Sequence, residues 1–186
     1  KIGGVIDVID NVLQAKVTEM RKSGLNIMMS MKDEAKPVSF IEDCAVELKD
    51  LAEYTDGLNQ IFDKYDTKGT WYAHASVGCL HVRPVLNMKL QTDVSKMRNI
   101  ADETSKLVKK FKGSYSGEHG DGIARSEFNE VMFGKKMINI FETIKQAFDP
   151  DNIFNPGKII NAPKMDARDY FRYAPSYNAK NINTIL

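Results

Sequence analysis

At 186 residues, with 42% hydrophobic and 27% charged residues, the chain has an ordinary soluble composition and enough length for one good core or a compact domain with appendages. A net charge of +1, with Lys and Arg spread along the whole length, supplies no basic stripe and argues against nucleic acid or an anionic membrane as the main partner. No apolar run approaches the roughly 20 residues that span a bilayer, and Lys1-Ile2-Gly3-Gly4 lacks the apolar core of a signal peptide, so the chain reads as cytoplasmic, at most peripheral to a membrane through a parent protein. It starts at Lys rather than Met and is read as a piece of something longer. Cys44 and Cys79 lack C-x-x-C spacing and read as buried thiols rather than a disulfide or a cluster site.

Val5, Val8, Ile9, Val12, Leu13, Val17 and Met20 recur at three- and four-residue steps, which predicts an amphipathic helix over about 5–22, closed by Ser23-Gly24 and carrying Arg21 at its polar end. Residues 26–36 have no clear period and read as an irregular connection, so 1–36 form an N-terminal helix and connection. Pro37 opens a short β-like run, Val38-Ser39-Phe40-Ile41, ending at Glu42-Asp43. Leu48, Leu51, Thr55, Leu58, Phe62 and Tyr65 then mark one face of a long helix. Gly69–His74 and Leu80–Leu86 read as two strands around Val77-Gly78, with Gly78 supplying a permissive turn. Val94, Met97, Ile100, Ala101, Thr104, Leu107, Val108 and Phe111 mark a second long helix stopped by Lys112-Gly113, after which Ser114-Tyr115-Ser116 runs as a short strand into Glu118.

The order is therefore βαββαβ. The expected fold is α+β and ferredoxin-like, an antiparallel sheet with helices on one face and the hairpin beside the strand that delivers Glu118. A further helix follows, with Met137, Ile140, Phe141, Ile144, Ala147 and Phe148 expected to be buried and Asp149-Pro150 ending it. Residues 37–162 are taken as the main domain. The Tyr-, Asn- and Arg-rich tail, 163–186, is expected to wrap another surface or to be loosely ordered.

All three histidines fall in two short segments. Tyr72-Ala73-His74-Ala75-Ser76-Val77-Gly78-Cys79-Leu80-His81 places two of them seven apart around a glycine, unsuited to one turn of helix but workable for two ligands at the mouth of a hairpin. Ser116-Gly117-Glu118-His119-Gly120-Asp121-Gly122 sets a carboxylate beside an imidazole among three glycines. His74, His81 and Glu118 would leave open positions on zinc, manganese or iron; the plainer reading makes both histidines strand residues satisfied by backbone carbonyls. His119 is a candidate general base, against the reading of an exposed loop histidine. Asn155-Pro156-Gly157-Lys158 reads first as a rigid turn, and Lys158 as a cation able to reach an electron-rich cofactor atom. Arg21, Arg83 and Arg125 are the nearest arginines, and a forked guanidinium suits a substrate carboxylate. Gly120-x-Gly122 is too short for a dinucleotide fingerprint.

Taken together, the paired histidines, Ser-Gly-Glu-His-Gly-Asp-Gly-Ile-Ala-Arg-Ser-Glu-Phe and Phe-Asp-Pro-Asp-Asn-Ile-Phe-Asn-Pro-Gly-Lys-Ile resemble the C-terminal domain of FAD-linked oxidases, the family of D-lactate dehydrogenase, the glycolate oxidase FAD subunit and D-2-hydroxyglutarate dehydrogenase. The resemblance covers about residues 5–161. It is strongest to large bacterial members that join the flavin module to an iron-sulfur module. It implies a cap over the flavin that supplies the substrate pocket, with His74, His81 and Glu118 as metal ligands and His119 taking the hydroxyl proton of a small 2-hydroxy acid while hydride passes to FAD. It places Asn155 and Lys158 beside the flavin, and Arg21 (with Arg83 nearby) toward the substrate carboxylate. It further implies an N-terminal FAD-binding domain and an electron-acceptor module in the parent chain, leaving this fragment inactive alone. Ser76, Val77 and Cys79 stand where relatives commonly carry Gly, Asp and Asn, which reduces polar support around the metal or flavin. The competing reading is a non-catalytic ferredoxin-like module that binds a metal or ligand or mediates assembly.

Overall fold

The computed structural model describes residues 6–174 and Tyr177; the start of the first expected helix, at Val5, and most of the tail beyond residue 174 lie outside them. The fold is α+β and is organised on one strand, β4 (Cys79–Leu86). Along one edge β4 pairs antiparallel with β3 (Gly69–His74), from Gly69 opposite Pro84 to His74 opposite Cys79. Along the other edge it pairs with two short pieces, β1 (Lys36–Pro37) and β2 (Cys44–Ala45). Ala45 in turn bridges Ser114. With β1 and β2 taken as one broken strand, the order runs βαββα as expected, and a single bridge at Ser114 stands where the last strand was expected.

The break carries the site. Lys36 pairs with Leu86 and Cys44 with Leu80, so eight steps on one strand run against six on the other and two residues bulge out of the ladder. Val38–Ile41, expected as a strand, forms this excursion: Phe40 and Ile41 drop into the core, where their apolar area outweighs two ladder hydrogen bonds, and Glu42 and Asp43 turn toward the sheet's other face. The expected strand at Ser114–Ser116 shortens to the single bridge, and its neighbour is Ala45 rather than the hairpin.

Helices α2 (Leu51–Lys64) and α3 (Gln91–Lys110) cover one face, close to the bounds their spacing predicts. Tyr54, Leu58, Ile61 and Phe62 of α2 and Val94, Met97, Ile100, Ala101 and Val108 of α3 pack on Leu80, Val82 and Leu86 of β4. Because strand side chains alternate, the same strand turns His81 and Arg83 to the opposite face, and β3 turns Tyr72 and His74 the same way while Trp71 packs toward Phe62. One sheet thus has an apolar face under helices and a face of imidazoles and guanidinium.

Three expectations are overturned. The first helix, α1, runs Asn11–Met29, capped by Asp10, whose side chain accepts the Leu13 N–H at 2.7 Å. Gly24 costs only about 1 kcal/mol inside a helix, which does not stop it. Its apolar residues Val12, Leu13, Val17 and Met20 are exposed. Past the short helices α4 (Gly122–Arg125) and α5 (Asn129–Phe133), α6 (Lys135–Phe148) is helical as expected but buries none of its residues: Met137, Ile140, Ile144 and Phe148 stay at the surface because none of the described elements covers that side. Residues 163–174, expected to wrap another surface or to be loose, pack on this chain's own core through buried Met165 and partly buried Phe171. The Met165 N–H donates to Glu127, and Arg168 donates to Gln91 at 2.7 Å.

The β3–β4 turn admits only glycine. Gly78 sits at φ +70°, and a Cβ there would lie 1.9 Å from the carbonyl oxygen of Val46, whose N–H donates to Gly78. Gly78→Ala is expected to lower unfolding stability by at least about 2 kcal/mol, the left-handed penalty plus the clash, read as a lower urea midpoint at unchanged slope.

Candidate functional site

The site lies where the helix-free face of the sheet meets the loop after Ser114. Asp43 builds it. Its carboxylate is fully buried, and one oxygen accepts from the Ser116 hydroxyl at 2.8 Å, the Glu118 N–H at 3.1 Å and the His119 N–H at 2.8 Å. The other oxygen lies 2.7 Å from an Arg125 nitrogen, a charge contact rather than an aligned hydrogen bond. Arg125 also donates to the Gly120 carbonyl at 2.6 and 3.1 Å, so one guanidinium holds both ends of the loop. The Asp43 backbone carbonyl accepts from Gly117 at 2.7 Å, where a Cβ would stand equally close, so residue 117 must be glycine. Burial pushes the Asp43 carboxyl pKa up, but the two backbone N–H donors, Arg125 and Ser116 outweigh it and hold the group below its ordinary value.

This anchoring puts Glu118 and His119 against the strand histidines. A Glu118 oxygen lies 2.8 Å from Nε2 of His81, 3.7 Å from Nε2 of His74 and 3.3 Å from Nε2 of His119. The His74 and His81 rings meet edge-on at 5.0 Å, and His81 and His119 stack at 5.2 Å. His81 is buried; desolvation lowers its pKa against the opposing pull of Glu118, and its Nδ1 has no hydrogen-bond partner among the described residues. One ligand atom from each of His74, His81 and Glu118 falls within 4.8 Å of the others, and so does one from each of Glu42, His81 and His119. Two imidazoles and a carboxylate are a donor set that fits zinc and its neighbours with positions to spare.

A cavity of about 250 Å³ opens beside the cluster, lined by Arg21, Lys22, Met28, Tyr72, Arg83, His81 and His119. Arg21 reaches in from α1, its guanidinium 4.5 Å above the Tyr72 ring and 3.3 Å from Nδ1 of His74. A guanidinium only donates, so His74 accepts at Nδ1 and carries its ring proton on Nε2. Arg83 lines the same cavity but is ion-paired with Glu42, its Nε donating at 2.5 Å. Arg21 is therefore the guanidinium available to an incoming anion.

A family model described as FAD linked oxidases, C-terminal domain, matches residues 6–159. The chain belongs to that family. Among curated relatives, D-2-hydroxyglutarate dehydrogenase of Pantoea ananatis is 36% identical over 162 residues, covering 84% of this chain and 16% of the relative. Glycolate oxidase subunit GlcD of Bacillus subtilis is 29% identical over 77% of this chain and 30% of its own length, and D-lactate dehydrogenase of Archaeoglobus fulgidus is 30% identical over 67% and 27%. The chain spans about a sixth of the length of the first of these and under a third of the other two.

Within this FAD-linked oxidase domain, Asn155 and Lys158 stand apart from the histidines. They line a separate groove of about 580 Å³ with Phe133, Phe141, Phe148 and Phe154, and Lys158 donates to the Pro156 carbonyl at 3.2 Å. Arg125 is consumed in the Asp43 anchor. Sequence reasoning missed Glu42 and Asp43, read only as the end of a strand; an acidic pair closing an apolar run of strand length was the one available signal. The thiols of Cys44 and Cys79 are both buried, and burial pushes them up to about 12 and about 11. No described helix is long and apolar enough to cross a membrane.

Removing the Asp43 carboxylate leaves the buried Arg125 charge without its partner, so Asp43→Ala is expected to cost about 3–5 kcal/mol. Because the folded pKa of Asp43 is lowered, its contribution is complete above the ordinary aspartate value near 4 and fades as pH falls through the folded value. Acid titration of unfolding free energy should lose part of its low-pH slope in Asp43→Asn.

Proposed function

We propose that this domain is the substrate-binding cap of a flavin-dependent dehydrogenase that oxidises a small 2-hydroxy acid to the 2-oxo acid. The observation that carries the reading is the cluster of His74, His81 and Glu118 beside a 250 Å³ cavity that His81, His119 and Arg21 line. The family match and the names of the relatives, which carry 2-hydroxyglutarate, glycolate and lactate, support it. Bound FAD would accept hydride from the substrate α-carbon, and a divalent ion held by His74, His81 and Glu118 would polarise the hydroxyl and carboxylate oxygens. His119 takes the hydroxyl proton at Nε2, so the C–H pair leaves as hydride, the O–H proton goes to the imidazole, and a carbonyl remains.

Arg21 supplies the countercharge for the substrate carboxylate. Were an ion held at Nε2 of His74, that ring's proton would sit on Nδ1, where the Arg21 donor would have no acceptor, leaving the guanidinium for the anion. Arg83 acts at one remove, since its charge is met by Glu42. In this reading the aromatic groove with Asn155 and Lys158 faces the flavin, whose nucleotide portion belongs to an N-terminal FAD-binding domain of the parent chain. Electrons would leave through an acceptor module of the parent protein, for which an iron-sulfur cluster is our reading. Cys44 and Cys79, protonated and buried at neutral pH, take no part in it.

In the flavin-loaded parent protein, His119→Ala is expected to cut turnover by about two orders of magnitude or more, the usual worth of a general base. Unchanged turnover would favour the non-catalytic, ligand-binding or assembly module. Elemental analysis of the chain after incubation with zinc or manganese should give about one equivalent in the wild type, falling sharply in Glu118→Gln.

A further inference from the structure

Glu42 is buried, belongs to neither reading of the motifs, and makes two directed contacts. Its Oε2 is held by the Arg83 guanidinium, and its Oε1 lies 3.0 Å from Nδ1 of His119. The other ring nitrogen of His119, Nε2, lies 3.3 Å from a Glu118 oxygen that already receives His81 at 2.8 Å. A neutral imidazole has one proton to place between these two carboxylates. The Glu42 oxygen is nearer, is fixed from behind by Arg83 and bonds to no other donor among the described residues, whereas the Glu118 oxygen is exposed and shared among three rings.

We propose that Glu42 is a positioning residue that fixes His119 in the tautomer carrying its proton on Nδ1, leaving the lone pair on Nε2. The role rests on the reading of His119 as the base, but the tautomer itself does not. The two-residue bulge makes this possible: an unbroken strand would give residue 42 the alternation of its ladder, and the excursion instead turns Glu42 to the helix-free face beside Arg83. A carboxylate bonded to the far nitrogen of a catalytic imidazole orients the ring and selects the reactive nitrogen, and loss of the correct tautomer elsewhere costs orders of magnitude in turnover with the fold intact.

The test is long-range proton–nitrogen NMR of the histidine-labelled, chelator-treated chain, with His119 assigned by the signals lost in His119→Gln. The expected wild-type pattern is a protonated Nδ1 and an unprotonated Nε2. Glu42→Gln keeps the shape and can still accept from Arg83 through its carbonyl, but turns an amide donor toward Nδ1, so the proton should move to Nε2. A wild-type proton on Nε2, or a tautomer indifferent to Glu42→Gln in a folded chain, would overturn the proposal. The wild-type spectrum decides alone should the variant fail to fold. Loss of the Nδ1 proton on adding one equivalent of zinc would make Glu42, His81 and His119 the ligands and would also overturn it. In the flavin-loaded parent, Glu42→Gln should lower kcat by about 100-fold or more with little change in KM; a correct tautomer shift with unchanged kcat would count against His119 as base and leave the positioning of the ring standing.

Discussion

A carboxylate with no solvent exposure sits at the junction of strand, loop and short helix, and the rest of the site hangs from it. Burying the Asp43 charge costs several kcal/mol, and the cost is offset only because two backbone N–H groups, a hydroxyl and a guanidinium converge on it. What the arrangement secures is geometry. A loop with glycines at 117, 120 and 122 has high conformational freedom, and three hydrogen bonds onto one fixed oxygen remove it. Replacing Asp43 and Arg125 with apolar residues of similar volume would fill the space and leave residues 116–119 without their anchor.

The strand histidines depend on a different constraint. His81 is fixed because β4 is the sheet's central strand, with ladder bonds on both edges, and because Leu80 and Val82 on either side of it are locked under α2 and α3. His74 closes the register opposite Cys79, where the turn at Gly78 fixes how far the hairpin runs. Two ring positions set by sheet packing and one by a tethered loop meet at Glu118, so core packing reaches the site through the pleat of one strand. Arg21 is the exception, since it arrives from a helix whose Val12, Leu13, Val17 and Met20 are exposed.

Much of this was legible in residue order. The two covering helices follow from their 3.6-residue spacing, the hairpin from Gly78, and the meeting of His74, His81 and Glu118 from motif recognition rather than from periodicity. The bulge was not legible, because Val38-Ser39-Phe40-Ile41 has the composition of a strand and gives no local sign that the ladder on either side is two residues out of step; only pairing with β4 reveals it. Asp43 and Glu42 were hidden for the same reason, being read as the polar end of that run. Helix α6 illustrates the converse. Its amphipathic period is correct and its burial is not, since a period shows that a face can be buried and says nothing of what lies against it.

The loop is tethered through its backbone and not through the side chains that carry its chemistry. Asp43 accepts from the N–H groups of Glu118 and His119, so either side chain can change without removing an anchoring bond. Glu42 differs, because its carboxylate serves both Arg83 on the central strand and the His119 ring. Tethering and side-chain identity therefore separate at 118 and 119, merge at 42, and at 43 the group is structural although it lies one bond network from the histidine rings. A ring held by its backbone alone would still turn about its side-chain torsions, so the second tether at Nδ1 is what converts a positioned residue into a directed lone pair.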